Sequence, residues 1–477
     1  MKKNVIVIMN DSLRRDHVNC YAVPPPWSRP GHEGEPFIHT PHLDRLAADA
    51  MLFDRYYIAS YPTIPNRTDL FTGRFGFCYR GWQPLEPGDV ILPEIVKRHG
   101  YTTAIVFDTP PLAHNNYNFT RGFDAWHWER GQMGDRYITD PRVPTPIPAD
   151  KHKVRNLNGT RMYLRNQRDR RTEKDFVGPR TLQKATEWLE DNHTQDGFLL
   201  WVDTWDPHEP FDPPQHYLKL YDRPGYNGQQ IVFPQYGHAD YMTADELNHV
   251  RALYAGEVSM CDTWVGYLLD TAERLGLFEN TLIIYMTDHG HLFGDHGLEG
   301  KPGGQLGTIY EPTARVPLII RHPEGWKAGE RIQPVVQPPD IVPTILEFLE
   351  IPVPESVQAI SMWPMIRGDV DSIHDYGFSG RFPLGTMYSY TAASFDGWAG
   401  PDRIASALTV SDQQWSYICS PDSWSSHLYD LREDPDQLNN IITQNPDVAE
   451  RMHSALMDFL GEMGSSPERI AKFRNVL

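Results

Sequence analysis

Short apolar runs alternate with helix-like spacing along most of the chain. The runs cover residues 5–9, 53–58, 102–107, 198–202, 282–286 and 316–320. Most are apolar without a polar alternation, which is typical of strands buried on both faces. Helical spacing is found at residues 40–51, 90–98, 180–192, 243–275 and 340–349. This alternation predicts an α/β fold with a large, mostly parallel sheet sandwiched by helices.

The pattern changes after about residue 371. Aromatic and polar residues alternate there, residues 407–418 are strand-like, and residues 446–460 form a last helical pattern. We therefore predict a catalytic α/β domain over residues 1–371 and a smaller C-terminal α+β subdomain over residues 372–477. Residues 109–178 are rich in Pro, Asn, Arg and Trp. A loop-rich stretch of that length indicates a functional insertion that covers a binding site.

Composition excludes several classes of partner. The 477 residues contain 44 Lys and Arg against 63 Asp and Glu, a formal charge of −19, and no basic run. We therefore expect no nucleic-acid partner. The apolar run after Lys3 is short, lacks a cleavage site and meets Asp11 at once, so it predicts a strand and not a signal peptide. No stretch is long enough to span a membrane, so we expect no membrane partner.

Cysteine usage bears on the compartment. The four cysteines, at positions 20, 78, 261 and 419, have no paired spacing. That pattern fits a reducing compartment without a zinc-cysteine site, and we predict a cytoplasmic location. The oligomeric state is left open, with a homo-oligomer as one alternative.

Three candidate metal ligands follow apolar runs. Asp11, Asp288 and His289 each come after a predicted strand, and ligands bind at the carboxyl ends of strands in open α/β sheets. The oxygen-rich set predicts one divalent cation, with Ca, Mg and Mn favoured and Zn permitted by the imidazole. Asn10 is a weaker candidate through its amide oxygen. Taken alone, an ordinary strand-to-loop turn explains Asp288-His289 equally well.

The stretch 60–74 carries a candidate nucleophile. Thr63 lies between two prolines at the start of a segment that can form a helix, and Pro65 suits a first helical turn. A helix N-terminus favours a nearby anion, and the planar fork of Arg67 fits sulfate or phosphate. A capped loop-to-helix junction is an equally good interpretation of the stretch by itself.

Two further side chains are candidates for contact with an anion. His208 lies between two prolines past a predicted strand, and Lys301 lies in a glycine-rich loop. Either side chain could hold a substrate oxygen or assist a leaving group. Taken separately, each is more simply a surface-loop histidine or a solvated lysine.

The blocks that contain these residues resemble the sulfatase family of the alkaline phosphatase superfamily over almost the whole chain. The similar stretches are residues 4–11, 40–47, 70–74, 100–104, 206–211, 287–290, 294–298, 315–320, 340–344 and 428–435. The resemblance implies an alkaline phosphatase-like fold. It also implies that Asp11, Asp288 and His289 bind the metal, and that Arg67, His208 and Lys301 bind the anion or act on the leaving group. By the same resemblance, a nucleophile coordinated to the metal stands at Thr63.

The chain departs from that family at three places. Sulfatases carry a cysteine, oxidised to formylglycine, in a Cys-x-Pro-x-Arg pattern, whereas this chain reads Thr63-Ile64-Pro65-Asn66-Arg67. The piece is similar to the threonine nucleophile of nucleotide pyrophosphatase/phosphodiesterases. The common Gly-Lys-Trp-His block is absent, as in phosphonate monoester hydrolases, where a hydroxyl such as Thr109 would help seat the substrate. Asn10 stands where many sulfatases have an aspartate.

Together these features predict a metal-dependent hydrolase of a small anionic ester. A threonine ester cannot collapse to an aldehyde as a formylglycine hydrate does, so phosphodiester, phosphonate or phosphate cleavage is favoured. Hydrolysis of a sulfate ester, on a sulfated sugar or an aryl sulfate, is the alternative. Two more hypotheses stay open: an inactive binding protein on a sulfatase scaffold, and an engineered replacement of a cysteine by Thr63.

Overall fold

The computed structural model describes residues 2–28, 37–114, 117–381, 406–421 and 425–476. Within these ranges the strands, numbered in chain order, are β1 Asn4–Asn10, β2 Met51–Phe53, β3 Ser60–Tyr61, β4 Thr102–Phe107, β5 Ala125–Trp128, β6 Phe198–Thr204, β7 Gly237–His238, β8 Thr281–Met286, β9 Leu292–Phe293, β10 Leu298–Gly300, β11 Leu318–Arg321, β12 Arg331–Ile332, β13 Gly377–Arg381, β14 Leu408–Ser411, β15 Trp415–Cys419 and β16 His427–Asp430.

The α-helices, numbered in the same way, are α1 Pro41–Ala48, α2 Thr63–Thr72, α3 Leu92–Arg98, α4 Pro110–Ala113, α5 Leu157–Asn166, α6 Val177–Asn192, α7 Gln215–Leu218, α8 Ala244–Arg274, α9 Glu311–Ala314, α10 Ile341–Phe348, α11 Trp363–Arg367, α12 Pro446–Glu462 and α13 Pro467–Ala471. Among the described residues, no helix combines the length and the apolar character needed to cross a membrane.

The main sheet has eight strands in the order β12-β2-β11-β8-β1-β6-β4-β5. Strand β1 pairs in parallel with β6 on one side and β8 on the other, while β11 runs antiparallel to both of its neighbours. The central strands β1, β6 and β8 are buried throughout, and separate apolar clusters cover the two faces. The predicted large, mostly parallel sheet sandwiched by helices is confirmed.

The long helix α8 shows how the sequence produces one covering layer. Thr243 forms a capping box with Glu246, in which the threonine hydroxyl accepts the backbone N–H of Glu246 and the glutamate accepts the N–H of Thr243. Its apolar residues, including Val250, Val258 and Leu268, are buried against the sheet. The observed helix, Ala244–Arg274, agrees with the helical pattern predicted over residues 243–275.

A five-stranded sheet forms the smaller unit, in the order β16-β15-β14-β13-β3. Strands β13 to β16 are antiparallel neighbours, and α12 packs on them through Ala449, Met452 and Leu456. The predicted C-terminal α+β subdomain is confirmed. Residues 407–418, predicted to be strand-like, form a hairpin of β14 and β15. Strand β3 comes from the N-terminal part of the chain and pairs with β13.

One prediction about the main sheet was wrong. Residues 53–58 were expected to form a strand, but β2 ends at Phe53 and only isolated bridges follow at Tyr56 and Tyr57. The chain leaves the ladder at Asp54, whose carboxylate accepts hydrogen bonds from Arg15 and Arg331. Most of residues 109–178 lie outside helices and strands, in line with the loop-rich prediction, but the stretch also contains α5 and the edge strand β5, which runs parallel to β4. Strand β5 was missed because it is only partly buried, with Trp126 61% exposed.

His322, which directly follows β11, makes stability depend on pH. Its ring stacks on Trp326 at 4.2 Å, and its Nδ1 accepts the backbone N–H of Glu324 at 3.2 Å. Burial lowers the pKa of His322 to about 4. The unfolded chain binds a proton near the ordinary histidine pKa of about 6.5 and the folded protein does not, so stability is lost as the pH falls from about 6.5 towards 4.

We therefore expect the melting temperature to fall less between pH 7 and pH 5 in His322→Gln than in the unsubstituted protein. The exposed His152 provides the matched control, because His152→Gln should leave the pH dependence unchanged. Differential scanning fluorimetry at both pH values measures this. An identical pH dependence in all three proteins would contradict the prediction.

Candidate metal and anion site

Three neighbouring strands of the main sheet deliver carboxylates to one edge. Asp11 follows β1, Asp288 follows β8, and Asp203 lies near the end of β6. All three side chains are fully buried. Because these strands are parallel neighbours in the order β8-β1-β6, their carboxyl ends meet, as the sequence pattern predicted for Asp11 and Asp288.

Asp11, Asp288 and His289 form a group that fits a divalent cation. Each offers one ligand atom, and these atoms lie within 4.8 Å of one another. Burial and the neighbouring Asp288 raise the pKa of Asp11 well above its ordinary value. Burial also acts to raise the pKa of Asp288, but His289 and Arg67 hold it below the ordinary value. Two buried carboxylates in mutual repulsion are an arrangement that a bound cation relieves.

His289 is oriented for this task by its own backbone surroundings. Its Nδ1 donates to the carbonyl of Gly290 at 2.9 Å, which leaves Nε2 as the nitrogen with a free lone pair. That Nε2 lies 3.4 Å from Asp288 Oδ2 and 3.3 Å from Thr63 Oγ1. Burial lowers the pKa of His289 to about 4, so the ring is neutral near pH 7. A β-carbon at Gly290 would overlap the carbonyl oxygen of Pro312, so only glycine fits there.

Thr63 is the first residue of α2, and the whole helix is buried. The predicted helix start is confirmed, and Pro65 lies in the first turn. Asn66 and Arg67 share the face of Thr63, since positions i, i+3 and i+4 are neighbours on a helix. The Asn66 side chain is fully buried, and neither its oxygen nor its nitrogen has a hydrogen-bond partner among the described residues. A buried amide of this kind beside Thr63 calls for a ligand or water partner.

Arg67 contacts the protein's own carboxylates. Its Nε and Nη2 donate to the two oxygens of Asp203 at 2.9 and 2.7 Å. Its Nη1 donates to Asp288 at 2.6 Å and to Asp11 at 3.0 Å. The guanidinium is fully buried. Arg67 therefore connects the three strand ends, and its contact with a substrate anion stays a prediction.

Thr109 and Asn10 are also held by protein groups. Thr109 Oγ1, which follows β4, donates to Asp203 Oδ1 at 2.5 Å. The Asn10 amide oxygen accepts the hydroxyl of Tyr285 at 2.8 Å, and its nitrogen donates to Thr204 and to the carbonyl of Asp206. The Asn10 oxygen therefore accepts one protein hydrogen bond, and its role as a weaker metal ligand stays a prediction.

His208 and Lys301 lie together at the other side of the site. His208 Nδ1 donates to the carbonyl of Glu209 at 2.7 Å, and its ring lies 3.9 Å from that of Trp205. Burial, and then the charge of Lys301, lower the pKa of His208 well below its ordinary value. The ring is therefore neutral, with Nε2 as its acceptor nitrogen. Lys301 Nζ donates to Glu209 Oε2 at 2.9 Å and to Ser12 Oγ at 3.1 Å.

Sequence reasoning missed four residues of this site: Ser12, Asp203, Glu209 and His291. Ser12 is fully buried with a φ of 63°. Its hydrogen bonds connect Asp11 and Asp288 with Lys301. Its N–H donates to Asp288 and its hydroxyl to Asp11, while the hydroxyl oxygen accepts Lys301. Asp203 could have been found by the rule that found Asp11, since it also ends an apolar strand. Glu209 carried no signal beyond lying beside His208.

Known proteins provide a comparison for this fold and site. A family profile described as "Sulfatase" matches residues 3–351, and one described as "N-sulphoglucosamine sulphohydrolase, C-terminal" matches residues 305–462. The chain belongs to the sulfatase family of ester hydrolases.

Similar proteins agree on the class. Arylsulfatase K of Canis lupus familiaris is 23% identical over 90% of this chain and 79% of its own length. N-acetylglucosamine-6-O-sulfatase of Bacteroides thetaiotaomicron is 22% identical over 92% and 82%. Among solved structures, the phosphonate monoester hydrolase of Agrobacterium radiobacter superposes with a TM-score of 0.73 at 21% identity, covering 97% of this chain and 96% of that one. At that identity the superposition shows the fold.

The cation site generates a direct prediction. We expect the purified protein to bind about one divalent cation per chain, and Asp288→Asn to lose most of it, because the variant removes one charged ligand of the buried group. Elemental analysis after dialysis against trace Mn²⁺ measures the stoichiometry. Asp222→Asn, which changes an aspartate paired with His249 away from the site, is the control. Equal metal content in the unsubstituted protein and Asp288→Asn would contradict the assignment.

Proposed function

We propose that this protein hydrolyses a small anionic ester through Thr63, with phosphodiesters, phosphonate esters and phosphate esters favoured over sulfate esters. The observation that carries the proposal is the position of Thr63. Its hydroxyl is 3.3 Å from His289 Nε2, at the N-terminal end of a buried helix and beside the Asp11–Asp288–His289 group. Asp11, Asp288 and His289 would hold one divalent cation, Ca, Mn, Mg or Zn.

When bound, the cation would supply positive charge that lowers the pKa of the Thr63 hydroxyl and stabilises charge on the substrate oxygens. Thr63 Oγ, having released its proton to water, forms a bond to phosphorus as the bond to the leaving oxygen breaks. Lys301 Nζ donates a proton to that oxygen. Asn66 Nδ2, without a protein partner among the described residues, is a donor for a non-bridging oxygen.

The second half of the reaction uses the other side of the site. A water molecule attacks the phosphorus of the Thr63 ester and gives a proton to His208 Nε2, while Thr63 Oγ leaves and is reprotonated from solvent. His208 then releases its proton to solvent and the Lys301 amine takes one up, which restores both groups. His208 suits acceptance because its Nδ1 proton is already donated to the Glu209 carbonyl. Of the two predicted proton donors, His208 and Lys301, this proposal therefore selects Lys301.

Charge balance bears on the substrate class. The contacting groups include the carboxylates of Asp11, Asp203, Asp288 and Glu209, and the cations of Arg67 and Lys301. A divalent cation brings this group to electrical neutrality. A neutral site suits a singly charged ester, such as a phosphodiester or a phosphonate monoester, better than a dianionic phosphate monoester. A threonine ester cannot release its bound group by collapsing to an aldehyde, which adds to the preference for phosphorus esters over sulfate esters.

A second candidate function is sulfate ester hydrolysis. The curated relatives named above are sulfatases, and a sulfate monoester also carries a single charge.

For location we propose the cytoplasm, supported by four cysteines without disulfides. The proposed partner is the ester substrate alone.

A substrate panel tests the nucleophile. With bis(4-nitrophenyl) phosphate, 4-nitrophenyl phenylphosphonate, 4-nitrophenyl phosphate and 4-nitrophenyl sulfate, we expect the first two to give the largest kcat/KM. Thr63→Ala should lose about 10³-fold or more, because the covalent step has no nucleophile. Thr72→Ala is the matched control, since it removes a buried hydroxyl from the last turn of the same helix. Full activity in Thr63→Ala would contradict the proposal, and a preference for the sulfate would select the second candidate.

Leaving-group dependence tests Lys301. In Lys301→Met we expect a loss of kcat/KM that grows from 4-nitrophenol to an alkyl alcohol, reaching about 10²- to 10⁴-fold, because only the poor leaving group needs the proton. Lys153→Met, which breaks a largely buried ion pair with Glu246 outside the site, should not change this dependence. The same loss for every leaving group would show that Lys301 acts as a charge and not as the acid.

A further inference from the structure

Glu209 contacts both of the side chains that flank the proposed reaction. Its backbone carbonyl accepts Nδ1–H of His208 at 2.7 Å, and its carboxylate oxygen Oε2 accepts Lys301 Nζ at 2.9 Å. The other carboxylate oxygen, Oε1, accepts the hydroxyl of Tyr236. Glu209 is fully buried and Lys301 is 6% exposed, so water competes little for these contacts.

Among the partners of Lys301 Nζ in the described ranges, Glu209 supplies the only negative charge. The other two are the Ser12 hydroxyl at 3.1 Å and His291 Nδ1 at 3.3 Å. Neither a hydroxyl nor an imidazole carries a negative charge. A buried ammonium whose carboxylate is removed is left with an uncompensated charge. Its flexible four-carbon stem then allows it to swing out of the site.

The backbone of Lys301 is held separately. The Arg381 Nη2 donates to the carbonyls of Lys301 at 3.0 Å and of Pro302 at 2.5 Å, and its guanidinium lies 4.5 Å from the Tyr61 ring. Loss of the Glu209 carboxylate would therefore leave the Lys301 loop in place and release the ammonium alone. This separation makes the effect of the side chain measurable without a change of the loop.

We propose that Glu209 is a positioning residue whose carboxylate fixes the Lys301 ammonium at the anion site, and that it acts on the bound anion only through Lys301. The inference rests on the proposed function, because the anion is that of the ester. A purely structural role for Glu209 would instead affect anion binding with or without Lys301.

A double-mutant cycle separates these roles. The probe is inorganic phosphate, titrated by isothermal calorimetry into the full-length, Mn²⁺-loaded protein. We expect Glu209→Gln and Lys301→Met each to weaken phosphate binding about tenfold or more, and the double variant to bind within about twofold of Lys301→Met. Binding by Glu209→Gln equal to the unsubstituted protein, or additive losses in the double variant, would overturn the inference.

Control variants keep the cycle interpretable. Glu257→Gln changes another fully enclosed carboxylate, one that accepts the backbone N–H of Asp212 at 2.6 Å and does not contact Lys301, and it should bind phosphate normally. Melting temperature and manganese content are measured for every variant. Should Glu209→Gln fail to fold, Tyr236→Phe removes only the hydroxyl donor to Oε1. That variant should weaken binding less, again with no further loss beyond Lys301→Met, and additivity there would overturn the inference.

The binding measurement needs no turnover, so the two claims can fail separately. A non-additive cycle in a protein that hydrolyses none of the esters would refute the proposed function and leave the role of Glu209 standing. Additive losses in an active enzyme would do the reverse. In an active enzyme, Glu209→Gln should also show the leaving-group dependence of Lys301→Met, which a general loss of folded protein would not produce.

Discussion

A buried guanidinium connects the three strand ends on which the site depends. Arg67 comes from α2, and its fork contacts Asp11 after β1, Asp203 on β6 and Asp288 after β8. All four side chains are fully buried. Removal of one partner from a buried ion pair typically costs about 3–5 kcal/mol, because a charge is left without compensation. The same contacts bring the helix that carries Thr63 against the edge of the sheet.

That connection also sets the electrostatics of the site. Arg67 neutralises part of the charge of three carboxylates, which lets them lie close together while buried. Lys301 is held in a similar way, because its Nζ contacts the Ser12 hydroxyl at 3.1 Å and the Glu209 carboxylate at 2.9 Å. Arg67 and Lys301 therefore both have carboxylate partners, so in the proposed function the positive charge that attracts an anion comes from the added cation and not from a surplus of fixed positive charge.

The sequence predicted the parts of the fold that follow from burial on both faces. Strands such as β1 and β8 are continuous apolar runs, and helices such as α8 carry a clear cap and a clear face. Strand β5 was not predicted because it is only partly buried. The end of β2 was mispredicted because the ion-paired Asp54 takes the chain out of the sheet. Neither cause is visible as a hydrophobic periodicity.

Candidate ligands after the central strands could be predicted because parallel strands bring their carboxyl ends together. The carboxylate partners of Arg67 could not be predicted, because they lie 56, 136 and 221 positions away in the chain. Glu209 was hidden for the same reason, since its partner Lys301 lies 92 positions away.

Thr63 shows where family membership stops being informative about the reaction. The strand ends, the Asp11–Asp288–His289 group and the buried Arg67 define a site that fits a cation and an anion, and none of them depends on which atom attacks. The exit from the covalent state does depend on that atom. In the proposed mechanism the threonine ester is hydrolysed at phosphorus, so a water molecule and an acceptor such as His208 Nε2 are needed. The Nδ1–H of His208 donates to the Glu209 carbonyl at 2.7 Å, which leaves Nε2 as the nitrogen for that task.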